Sequence, residues 1–137
     1  MNLIQVELTK IIIDEKRQDQ FIVLKEKGGT RQFPIVIGFL EASAIKMKVS
    51  GLETPRPLTH DLLLSTIEGL GAKLEQLVID KLVESTFHAK LVLRAADGQQ
   101  RLIDSRLSDG VALAVRAHAP IFVAEDVMQR ATIFKIE

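Results

Sequence analysis

The first stretch of the chain alternates. In "NLIQVELTKIII", residues 2 to 13, Ile4, Val6 and Leu8 fall on one parity and Leu3, Gln5 and Glu7 on the other, which predicts a strand with one buried face. "DEKRQDQ" then reads as a polar turn, and "FIVLKEK" as a second strand. Gly28-Gly29 signals a hairpin, because both residues tolerate positive φ. "RQFPIVIG" predicts a third strand, with Pro34 placing it at a sheet edge or strand end. From Phe39 the period lengthens to that of a helix. Leu40, Ala44 and Met47, joined by Ile45, share the expected buried face of a helix over about 39–50, stopped near Gly51. "LETPRP" cannot be helical, since each residue before a proline is pushed toward extended backbone. A second helix is expected from Thr59 to Leu70, with Leu63, Ile67 and Leu70 inward and Gly71 as its stop.

Strands then return. "KLEQLVIDKLVE", "TFHAKLVLRA" and "QQRLIDS" are rich in Val, Leu and Ile, and Asp97-Gly98 is the strongest hairpin signal in the chain. "LSDGVALAVRAHA" predicts a third helix with Leu107, Val111, Ala114 and Val115 on one stripe, ended by Pro120. "IFVA" reads as a short buried strand, and the tail as one helical turn and a last strand. The order repeats: Phe21 corresponds to Phe87, the Gly28-Gly29 turn to Asp97-Gly98, and Glu41 to Asp109. The expectation is one α+β domain over residues 1–137, with two similar β-β-β-α halves, mostly antiparallel sheets, and a central helix joining them.

Composition narrows the class. The apolar share of 47% supports a core at this length, and 18 basic against 18 acidic residues give no global attraction for a polyanion. With no Cys, thiol catalysis and thiolate metal sites are excluded. "MNLIQVELTK" has no basic n-region and no apolar run approaches the roughly 18 residues of a membrane span, so a cytoplasmic protein without a membrane partner is expected. Tyr and Trp are absent, which leaves few platforms for base stacking.

Two segments concentrate chemistry. In "PRPLTHDLL", Thr59 is a candidate N-cap and Asp61 a first-turn acid that suits the helix dipole. His60 and Asp61 point about 100° apart on a helix, so they cannot pair with each other, and a partner for His60 must come from elsewhere. Arg56 and His60 are not needed for a cap. In "IDSRLSDG", Asp104, Ser105, Arg106, Ser108 and Asp109 crowd a strand-to-helix junction, where free N–H groups favour anions. Ser108 is the candidate N-cap, and Gly110 permits a close approach. Asp104 and Asp109, with Glu41 as a third carboxylate, are candidate ligands for Mg²⁺ or Mn²⁺. His88 and His118 read as ordinary half-buried residues, and no Walker loop, GxGxxG, GxSxG or HExxH motif is present.

"FPIVIG" followed by Glu41-Ala42, then "PRPLTHDLL", "IDSRLSDG" and "APIFVAED" resemble the bifunctional nuclease family in order and spacing, over Leu3 to Val127. Where the family pattern has proline between the Arg and Ser of the last cluster, this chain has Leu107. The resemblance implies a compact α+β fold, a homo-oligomer, and nuclease activity on RNA and DNA. Under that reading His60, Asp61, Asp104 and Asp109 are the catalytic candidates. Arg56, Thr59, Ser105, Arg106 and Ser108 are substrate-binding candidates, and Asp104, Asp109 and Glu41 would hold the metal. The alternative is a non-catalytic oligomeric module that binds a partner or a small anion at these helix starts, since capping accounts for most of the motif residues.

Overall fold

The computed structural model describes residues 2–14, 16 and 19–132. Three strands come first: β1 (Leu3–Ile12), β2 (Gln20–Glu26) and β3 (Gln32–Ile37). Helices α1 (Phe39–Val49) and α2 (Thr59–Gly69) follow, then β4 (Lys73–Val83), β5 (Thr86–Arg94) and β6 (Gln100–Arg106). The chain continues through α3 (Leu107–Ala117), β7 (Ile121–Ala124) and α4 (Glu125–Ala131). The last strand expected in the tail, and part of the polar turn after β1, lie outside the described residues.

All seven strands form one sheet in the order β3-β2-β1-β7-β4-β5-β6. Two antiparallel meanders, β1-β2-β3 and β4-β5-β6, flank β7, which runs antiparallel to β1 and parallel to β4. The fold is α+β, as the pattern of elements predicts. β3 is an edge strand, which accommodates the missing N–H of Pro34 opposite Val23.

The helices collect over one apolar face of the sheet. Ile22, Leu24, Phe33, Ile35, Leu77, Ile79, Ala89 and Leu91 from the strands meet Ile45, Val111, Leu113, Val127 and Met128 from the helices in one core. Two helix faces differ from expectation. In α1 the buried residues are Ala42 and Ile45, while Leu40 is 77% exposed and Met47 only half-buried. In α2 it is Ile67, with Leu64 packed beside it, and Leu63 and Leu70 are exposed. Periodicity marks an apolar stripe but not which edge of a wide stripe faces the core. Gly110 permits the close approach expected of it: a Cβ there would come within 2.5 Å of Leu77 Cδ1, so α3 lies directly on β4.

The sheet curls until its two ends face each other. The ring of Phe33 on β3 stacks on Phe87 of β5 with centroids 5.4 Å apart. A groove of about 680 Å³ is lined on one side by Pro34, Val36 and Gly38 and on the other by Ser85, Phe87 and Arg106. The lip of this groove is a two-residue hairpin, because Val83 pairs with Thr86. Its corner residues Glu84 and Ser85 both have positive φ, 49° and 67°. Such a turn ordinarily takes Asn-Gly, which is why neither residue signalled it. The double change Glu84→Asn, Ser85→Gly is expected to raise stability by about 1 kcal/mol by relieving left-handed strain. Urea unfolding checks this, and an unchanged or lower midpoint would sink it.

Candidate active site

Two helix starts meet beneath α1. Both are preceded by extended backbone: Leu58 (φ −77°, ψ 169°) caps α2, and Arg106 (φ −63°, ψ 144°) caps α3. These positions correct two expectations. Thr59 and Ser108 are not N-caps but lie inside the first turns of their helices. The side chain that satisfies the start of α2 is Asp61, whose Oδ2 accepts the Leu58 N–H at 2.9 Å. The conformation of Arg106 is also the one a residue before proline adopts, so Leu107 enters the helix on a backbone that proline would equally accept.

The partner His60 required is Asp109. His60 Nε2 lies 3.0 Å from Asp109 Oδ1, with the imidazole 13% exposed. An ionised carboxylate only accepts hydrogen bonds, so Nε2 is the donor and the neutral ring keeps its lone pair on Nδ1. Arg106 grips the same carboxylate, donating from Nε to Oδ2 at 2.8 Å and from Nη2 to Oδ1 at 3.2 Å. It also reaches Glu41 Oε1 at 3.9 Å. A Cβ on Gly38 would meet the Glu41 carboxylate, so glycine lets that side chain fold back over the end of β3. His60, Asp109, Arg106 and Glu41 therefore form one charged chain. It borders a hollow of about 430 Å³ that Leu40, Met47 and Thr59 complete. This hollow and the larger groove share Glu41 and Arg106.

Burial pushes the Asp109 carboxyl up, but hydrogen bonds from Arg106 and His60 outweigh it and hold the group below its ordinary 3.8. The Leu58 N–H lowers Asp61 against a smaller burial effect, helped by Arg116 and Lys48. Hydrogen bonds from Arg31 hold Glu26 and Glu125 down in the same way. All four folded values lie below the unfolded ones, so their stabilisation is complete above the ordinary carboxylate range and is lost as pH falls through the folded values. Urea midpoints are expected to be level from about pH 5 to 8 and to fall steeply below about pH 4. Asp109→Asn should flatten part of that fall. A midpoint that rises on acidification would contradict the pairing.

The other motif residues are placed as follows. Asp104 lies on β6 with its side chain 79% exposed and is bound by Lys90 at 3.2 Å, and Lys90 also reaches Asp80 at 3.7 Å. The Lys90 bond thus ties Asp104 into a ladder across β4, β5 and β6 rather than to His60. Ser105 Oγ donates to the Arg106 carbonyl at 2.7 Å. Ser108 is buried and lines the larger groove. Arg56 is exposed in the α1–α2 connection, and its guanidinium makes no hydrogen bond or ion pair among the described residues. Among the described residues, no group of three or more His, Asp or Glu is placed to hold a metal ion. Sequence reasoning missed Arg116, whose side chain is 4% exposed and binds Asp61 at 2.7 Å. A signal existed, since Arg116 lies seven positions after Asp109, two turns along the same face of α3.

The family model for the bifunctional nuclease domain matches residues 22–135. The chain belongs to the bifunctional nuclease domain family. The second meander, both helix starts and the His60–Asp109 contact fall inside the matched span, while β1 precedes it. Two uncharacterized proteins of Mycobacterium tuberculosis, from strains CDC 1551 / Oshkosh and ATCC 25618 / H37Rv, are each 38% identical over 127 residues. The alignment covers 93% of this bifunctional nuclease domain chain and 75% of each relative. Among the described residues, no helix is long and apolar enough to cross a membrane.

Proposed function

We propose that this domain hydrolyses phosphodiester bonds of RNA or DNA at the hollow bordered by His60, Asp109, Arg106 and Glu41. The observation that carries the reading is the meeting of His60 and Arg106 on one carboxylate beside an open hollow. Each residue then has a role. Asp109 accepts a hydrogen bond from His60 Nε2–H and so orients the ring, leaving Nδ1 to take a proton from the attacking hydroxyl or water. Arg106 is exposed and presents a planar fork that suits a non-bridging phosphate oxygen, and its bonds to Asp109 and Glu41 hold it at the groove until substrate competes for it. Ser108 and Thr59 line the two hollows where the phosphate and its neighbours would lie.

A divalent ion belongs to the same proposal. Asp109 and Glu41 both face Arg106, and they would serve Mg²⁺ as a two-carboxylate set once Arg106 turns to the substrate phosphate, with phosphate and water as the other ligands, whereas Asp104 lies apart from them on β6 opposite Lys90. When bound, the ion would neutralise charge on the phosphate. Purified protein is tested on RNA and DNA oligonucleotides with EDTA, then with Mg²⁺ or Mn²⁺ restored. Loss and recovery of cleavage supports the ion, and cleavage undiminished by EDTA assigns the chemistry to His60 and Arg106 alone. Asp109→Ala is expected to lose cleavage by about 10²-fold or more, while Asp104→Ala keeps it. Full activity in Asp109→Ala would place the reaction at another site or in a contaminant.

The second reading, a non-catalytic oligomeric binding module, is favoured by one observation: Asp61, Asp104 and Asp109 all have internal partners that account for them without chemistry. Absence of cleavage on either nucleic acid, under every metal condition, would select it. A homo-oligomer accompanies either reading, supported by exposed Leu40, Leu62 and Leu63 beside the site, and sedimentation analysis of the purified chain tests it.

A further inference from the structure

We propose that Arg116 is the positioning residue for His60, holding the first turn of α2 at the rotation that brings the imidazole onto Asp109. Arg116 is a buried side chain with a separate partner for each of its guanidinium nitrogens. Nε donates to Asp61 Oδ1 at 2.7 Å, Nη1 to the Ala112 carbonyl at 2.9 Å, and Nη2 to the Ala44 carbonyl at 3.2 Å. One side chain thus joins α1, α2 and α3 from inside the fold. Core packing alone would be met by an apolar residue of the same length, and burying a guanidinium carries a desolvation cost that packing does not require.

The geometry gives that cost a use. Asp109 and Arg116 lie two turns apart on one face of α3, about 10 Å along its axis. Each grips a neighbouring residue of α2: Asp109 takes His60 and Arg116 takes Asp61. Those two side chains leave α2 about 100° apart. A helix held at one point can still turn about its axis, but one held at two points 100° apart cannot. The second oxygen of Asp61 accepts the Leu58 N–H, so the same carboxylate stops the helix from unwinding there. Among the described residues, Thr59, Leu62 and Leu63 of this end are exposed, so apolar packing of α2 begins only at Leu64 and Ile67.

The proposal deepens the reading of His60 as the proton carrier, and its first measurement does not use cleavage. The ¹⁵N signals of the His60 ring, assigned by comparison with His60→Gln, report the Nε2–H···Asp109 bond directly. In Arg116→Met they are expected to move toward those of a free imidazole, as is also expected for Asp109→Ala, which removes the acceptor, while unfolding stays cooperative. If Arg116→Met does not fold, Asp61→Asn carries the same test, since its amide oxygen still accepts the Leu58 N–H but the anion that Arg116 holds is gone. Ring signals unchanged from the wild type in the folded variant would overturn the proposal. A second measurement separates the two ideas. With a quenched fluorescent RNA oligonucleotide, kcat is expected to fall about 10²-fold with KM little changed, as for a misplaced reacting group. Moved ring signals with undiminished kcat would leave the positioning intact and overturn the role given to His60.

Discussion

His60→Gln is expected to lower phosphodiester cleavage by about 10²–10⁴-fold while leaving the fold intact. Glutamine is close in size to the imidazole and its amide can still donate to Asp109, so the hydrogen bond at 3.0 Å and the hold on α2 are largely kept. What is lost is the Nδ1 lone pair to which the proton transfer is assigned, because an amide nitrogen takes up no proton near neutral pH. Asp109 stays compensated by Arg106, which contacts both of its oxygens. Stability should therefore change by no more than about 0.5 kcal/mol, and the loss should fall on kcat. Steady-state rates on an RNA oligonucleotide, with urea unfolding of the same samples, separate chemistry from folding. A His60→Gln variant that cleaves at the wild-type rate sinks the assignment.

Phe33→Ala is expected to cost about 3–5 kcal/mol, a large part of the 5–15 kcal/mol that holds a typical domain together. Phe33 has no exposed surface and is among the largest side chains fully inside the core. Its stacking on Phe87 at 5.4 Å links the edge strand β3 to β5 across the curl of the sheet, a contact worth about 0.5–1.5 kcal/mol beyond burial. The functional consequence follows from topology. β3 leads through Gly38 into Glu41, and β5 pairs with the strand that ends at Arg106. Loosening the ring pair frees the two walls of the groove from each other and lengthens the 3.9 Å Arg106–Glu41 approach. Phe33→Leu, which keeps most of the volume, should cost less than about 1.5 kcal/mol. Equal urea midpoints for Phe33→Ala and the wild type would show that the stack does not hold the curl.

The elements themselves were legible because each depends on local pattern. Alternation located β1, the change of period located α1, and Gly51 and Gly71 took the positive φ expected of stops, 74° and 81°. Inward faces were less so. Leu40, Leu63 and Leu70 are apolar and in helical register, yet they face outward, because α1 and α2 cover only the rim of the core. The tightest turn, Glu84-Ser85, carried no signal, since its residues adopt left-handed backbone only under the constraint of the strands on either side.

For the site, the sequence by itself determined which residues are available and which cannot serve one another. Adjacent helical positions diverge, so His60 and Asp61 need different partners whatever the fold around them. Capping logic likewise placed both motifs at helix starts. Which carboxylate meets His60 was decided only by tertiary structure, because residues 60 and 109 are joined through the packing of α2 on α3 and by nothing local in the chain. The same packing bound Asp61 to Arg116 and the β5–β6 register set Asp104 opposite Lys90. Sequence spacing limits contacts within one turn or one hairpin. Beyond that range, the way the core closes selects the partners.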